Sequence, residues 1–69
     1  MIVKGKQYRM KFNGLTGRIK KTQAVEALGV EFGVVMVKAI GSEQEATDYA
    51  VELDLEEIKD EAGVKVWAR

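Results

Sequence analysis

Lys6-Gln7-Tyr8-Arg9-Met10-Lys11-Phe12, then Asn13-Gly14, then Leu15-Thr16-Gly17-Arg18-Ile19-Lys20-Lys21, is the stretch on which the reading of the fold turns. Tyr8, Met10 and Phe12 alternate with polar residues, the period-two pattern of a half-buried strand. Asn-Gly is the preferred pair for a two-residue type I′ hairpin turn, where both residues need positive φ. Such a turn predicts a register in which Phe12 faces Leu15, Met10 faces Gly17 and Tyr8 faces Ile19. The opposite face then sets Lys11 beside Thr16, Arg9 beside Arg18 and Gln7 beside Lys20. One register thus predicts both an apolar and a basic face.

Working outward, Thr22 to Gly29 carries a candidate cap (Thr22) and a candidate stop (Gly29), and reads as one or two helical turns or a loop. Val30 to Ile40 is rich in β-branched residues and reads as a strand. Gly33 interrupts its alternation. A bulge there puts Phe32, Val35, Val37 and Ala39 inward and Met36 and Lys38 outward; without one, Val34 and Met36 point inward. Between Ser42 and Glu61 two patterns compete. Ser42-Glu43-Gln44-Glu45 fits a capping box, with Ala46, Tyr49, Ala50 and Leu53 at helical spacing. Thr47, Tyr49, Val51, Leu53 and Leu55 also alternate with Asp48, Ala50, Glu52, Asp54 and Glu56, and the strand reading is preferred. Glu56 to Lys59 then reads as one helical turn and Val64 to Ala68 as a last strand.

The expected fold is all-β, about five antiparallel strands with one short helical turn, in one domain over residues 1–69; the order of hairpin, irregular segment, hairpin, helical turn and short last strand resembles the small SH3-like barrel. The alternative is α+β, an antiparallel sheet with one helix over residues 43–61.

Gly5, the alternating Tyr8, Met10 and Phe12, and Gly14-Leu15-Thr16-Gly17-Arg18-Ile19 together resemble a KOW motif of ribosomal proteins and transcription-elongation factors. Tyr49 to Ile58 is similar to the closing strand and turn of those domains. The resemblance runs from Gly5 to Lys59. It implies a small barrel that contacts a protein or nucleoprotein machine of transcription or translation.

Composition narrows the chemistry. The chain has 69 residues, with no cysteine, histidine or proline. Disulfides, thiolate nucleophiles and the commonest zinc ligand and general base are therefore excluded. The N-terminus lacks the apolar run of a secretory signal, and no stretch reaches the ~20 apolar residues of a membrane span. A cytoplasmic home is the expectation. Catalysis, a cofactor and a metal are not expected: a row of carboxylates at Glu52, Asp54 and Glu56 reads first as a solvated strand face.

Charge is polarised along the chain. Lys4, Lys6, Arg9, Lys11, Arg18, Lys20 and Lys21 give residues 1–22 a charge of +7, with no acid. From residue 23 onward Lys38, Lys59, Lys65 and Arg69 stand against all eleven acids, giving −7. Such asymmetry bears on partners rather than on fold. Arg9, Lys11, Arg18 and Lys20 are the candidate contacts for nucleic acid or another partner. Glu52, Asp54 and Glu56 are the candidate acidic surface, the basis of a second reading as a phage-type inhibitor or accessory protein that binds a basic partner. A third reading is a self-associating module using Val34 to Val37 or a sheet edge. Tyr49 and Trp67 are the polar-tipped aromatics available as contact points.

Overall fold

The computed structural model describes residues 1–41 and 45–58. Five strands run β1 (Gln7–Met10), β2 (Ala24–Glu31), β3 (Val34–Ala39), β4 (Thr47–Val51) and β5 (Leu55–Glu57), with a 3-10 turn at Glu52–Asp54. All pairings are antiparallel, in one sheet ordered β4-β3-β2-β1-β5. The fold is all-β, and Thr47–Glu57 is two strands and a 3-10 turn, not the alternative helix. The sheet is open, since no ladder joins β4 to β5 among the described residues.

The core is Tyr8, Met10, Ile19, Val25, Ala27, Val35, Val37, Ala50 and Leu55, all on the inner face or in the β1–β2 connection. A fully buried side chain of this kind contributes about 1.5–3 kcal/mol. Tyr8 keeps its hydroxyl satisfied by accepting the Val3 N–H at 2.8 Å.

Five local expectations are corrected. The Asn13–Gly14 hairpin does not form. β1 pairs instead with β2 (Tyr8 opposite Val25) and with β5 (Met10 opposite Leu55). Neither Asn13 nor Gly14 has the positive φ that a type I′ turn requires. That turn lies at Phe32 (φ 55°) and Gly33 (φ 77°), between β2 and β3. Residues 24–29 belong to β2 rather than to a helical turn or a loop, because Val25 and Ala27 alternate inward beside Ala39 and Val37. The bulge lies between Ala27 and Gly29 rather than at Gly33. Val35 and Val37 do point inward and Met36 and Lys38 outward, but Phe32 is 96% exposed.

The fourth correction concerns β4. Its inner side chains are Asp48 and Ala50, while Thr47, Tyr49 and Val51 face out, the reverse of what the apolar alternation predicts. The helical turn comes earlier than expected, at Glu52–Asp54, and Glu56 and Glu57 lie in β5. The expected last strand and Trp67 lie outside the described residues.

Residues 11–23 connect β1 to β2 and return to β1 through a bulge. Met10 donates its N–H to the Gln23 carbonyl and accepts the Thr22 N–H, at 3.0 and 2.7 Å. Thr22, at φ 73°, occupies the bulge position that glycine normally fills. A β-branched residue there carries strain of about 1–2 kcal/mol. Thr22→Gly is expected to raise the urea midpoint by an amount worth about 1 kcal/mol; a lowered midpoint would mean that the threonine side chain stabilises the bulge.

Candidate functional site

The connection over residues 11–23 contains Lys11, Arg18, Lys20 and Lys21 and no acid. Its middle is fastened by a carboxylate from β4. Asp48 is 1% exposed and accepts five hydrogen bonds. Oδ1 accepts from the Thr16 N–H (3.0 Å), the Thr16 hydroxyl (2.8 Å) and the Tyr49 N–H (2.7 Å). Oδ2 accepts from the Arg18 and Ile19 N–H groups, at 2.9 and 3.0 Å. Four of the donors therefore belong to Thr16, Arg18 and Ile19, all within the connection.

Burial by itself raises the pKa of Asp48. The Ile19, Thr16 and Tyr49 amides and the Thr16 hydroxyl together outweigh that and lower it from 3.8 to about 2. The group stays ionised at neutral pH, so it acts as a fixed anion rather than as a proton donor.

Gly14 makes this geometry attainable. A Cβ placed on it would stand 2.1 Å from Asp48 Oδ2 and 2.4 Å from Cγ. The glycine is needed because the carboxylate lies where a side chain would begin. Gly14 also donates its N–H to the Ile19 carbonyl at 2.7 Å, and Asn13 Oδ1 accepts the Lys21 N–H at 2.9 Å. Leu15 donates to the Tyr49 carbonyl at 2.8 Å. With the Tyr49 N–H taken by Asp48, both main-chain groups of Tyr49 on the outer edge of β4 are occupied, which blocks further strand pairing there.

The predicted basic residues are all exposed, but they do not form the two-stranded row that the sequence suggested. Arg9 lies opposite Glu56 in the β1–β5 ladder, and its guanidinium donates to the Thr22 carbonyl at 2.6 Å. Lys11 donates its backbone N–H to the Asp54 carbonyl at 2.8 Å. Lys20 opens the turn closed by the bond from the Gln23 N–H to its carbonyl. Arg18, with Lys38, Glu45, Ala46 and Thr47, lines an open depression of about 560 Å³. Glu52, Asp54 and Glu56 do not share a strand face: the first two lie in the 3-10 turn and the third in β5. Glu52 Oε2 accepts the Ile2 N–H at 3.3 Å. Lys6 forms an ion pair with Glu57 in which both side chains are about half exposed, so it adds little to stability.

The outer face of β2–β4 is a second feature. Register sets Gly29, Met36 and Tyr49 in one row and Glu31, Val34 and Val51 in the next. Met36, Tyr49 and Val51 are each 40% exposed or more, and Phe32 projects from the adjoining turn. Sequence reasoning missed Asp48, the residue around which the connection is organised. The one signal for it in the sequence was an acid within a strand pattern, Asp48 between Thr47 and Tyr49.

No family model, curated protein or solved structure matches the chain.

Proposed function

We propose that this chain is a non-enzymatic binding module that contacts an anionic partner, nucleic acid or a nucleoprotein surface, through the β1–β2 connection. The observation that carries this reading is the clamp at Asp48: it holds a segment bearing four bases and no acid in one shape. Backbone held in advance loses less conformational entropy on binding. The bases meet phosphates as exposed point charges, an arrangement that gives salt-dependent, sequence-tolerant affinity. The KOW-like reading enters this proposal as a resemblance of sequence.

Fluorescence anisotropy with single-stranded RNA and duplex DNA at low salt tests it. Wild-type chain is expected to bind with an affinity that falls as salt rises. Arg18→Glu with Lys20→Glu is expected to weaken binding about tenfold or more, since each such change removes an attraction and adds a repulsion. Equal affinity of wild type and double variant would overturn the nucleic-acid reading.

The exposed apolar rows of β2–β4 favour a second reading, contact with a protein or another copy of the chain. A Met36→Glu variant that lost a partner or a dimer, with nucleic-acid affinity unchanged, would select it.

A further inference from the structure

Asn13 is the chain's only asparagine, and it precedes glycine. An Asn-Gly pair is chemically poised for imide formation, because glycine leaves the following amide nitrogen unhindered. In that reaction the Gly14 nitrogen loses its proton and attacks the Asn13 side-chain carbon Cγ. A bond forms between Gly14 N and Cγ, the bond from Cγ to Nδ2 breaks, and Nδ2 leaves as ammonia after taking up a proton. Water then opens the five-membered imide at either carbonyl. The products are aspartate, or isoaspartate with the main chain rerouted through Cγ. The net change is addition of water and loss of ammonia, with no oxidant or reductant.

Three contacts oppose this reaction in the folded chain. The Gly14 N–H, which must lose its proton, is donated to the Ile19 carbonyl at 2.7 Å. Asn13 Oδ1 is held by the Lys21 N–H at 2.9 Å, which restrains the swing of Cγ toward the Gly14 nitrogen. The Asp48 carboxylate lies against Gly14, and its negative charge disfavours the amide anion through which attack proceeds. The first contact depends on the clamp, because the Ile19 carbonyl belongs to the segment whose amides Asp48 holds.

We infer that Asn13–Gly14 is a latent modification site, an imide-forming pair that the contact of Asp48 with residues 14–19 keeps shut and that reacts only when the connection opens. The reaction is also one-way for the fold. Isoaspartate adds a main-chain carbon directly before Gly14, which shifts the register of the Gly14 N–H against the Ile19 carbonyl that accepts it. Either product places an acid in a connection that otherwise has only bases. The clamp guards the pair whichever partner the bases meet.

The test follows the mass change of the full-length chain during incubation in mildly alkaline buffer, with fragmentation to assign the change to residue 13. The same chain in concentrated urea supplies the unguarded rate. Folded wild type is expected to react at least about tenfold more slowly than the denatured chain, as for any step gated by local opening. Thr16→Ala, which removes one of the five bonds to Asp48, is expected to react at an intermediate rate, with the Gly14 amide exchanging its hydrogen faster in proportion. Equal rates for folded and denatured wild type would overturn the inference, as would a wild-type rate in Thr16→Ala despite faster Gly14 exchange. Should Thr16→Ala fail to fold, the wild-type comparison and the exchange rate of its Gly14 amide decide alone.

Discussion

Asp48→Asn is expected to unfold the chain or to lower its urea midpoint steeply, although it changes one carboxylate oxygen into an amide nitrogen of nearly the same size. The five donors around Asp48 face two acceptor oxygens. An asparagine keeps one acceptor and turns an NH₂ toward donors, so at least two N–H groups lose their partner in a buried site. Each such loss costs about 1–3 kcal/mol. Their sum is comparable to the ~3–5 kcal/mol that a single core of this size supplies. Far-ultraviolet circular dichroism and urea unfolding provide the check. A wild-type midpoint in Asp48→Asn would show that the carboxylate is not what holds the connection.

Gly14→Ala is expected to be about as damaging, for a steric reason. The new Cβ would stand 2.1 Å from Oδ2, 2.4 Å from Cγ and 2.9 Å from Oδ1. The carboxylate is held by five bonds and cannot swing aside without breaking several of them. The overpacking alone costs about 1–3 kcal/mol, and the lost bonds add to it. Gly17→Ala is the control. Gly17 has φ 78° and open space where a Cβ would go, so that change is expected to cost only the ~1–2 kcal/mol of a left-handed alanine. Equal midpoints for the two variants would contradict the close-approach account of Gly14.

These two residues also show where the sequence was legible and where it was not. Alternation was a sound guide to β1, where Tyr8 and Met10 lie inside and Gln7 and Arg9 outside. In β3 it left two inward sets open, because Val34 and Met36 on the outer face are as apolar as Val35 and Val37 on the inner one. It failed at β4, where Asp48 lies inside and Tyr49 and Val51 outside. Hydrophobicity alone assigns an acid to solvent. Only the amides of a distant connection make its burial favourable, and those partners are 29 to 32 positions away. The Asn-Gly pair misled for a related reason. Its local preference for a hairpin was overridden by the clamp, while the actual type I′ turn used Phe32, a residue whose side chain gives no such signal. The bases were visible as a cluster in sequence, but their grouping followed from a register that does not form.

A single buried, ionised carboxylate organises the base-bearing connection. Linkage gives this a sign. A carboxyl pKa lowered from 3.8 to about 2 contributes stability that is fully present above pH ~4 and lost as pH falls through about 2, a difference worth about 2 kcal/mol. The direct measurement is a carbon-detected nuclear magnetic resonance titration of the Asp48 carboxyl, read together with the Thr16, Arg18 and Ile19 amides. A midpoint near pH 2 is expected for the carboxyl, with those three amides moving at the same midpoint or lost together with the fold. A midpoint at the ordinary value, or amides indifferent to the titration, would contradict it.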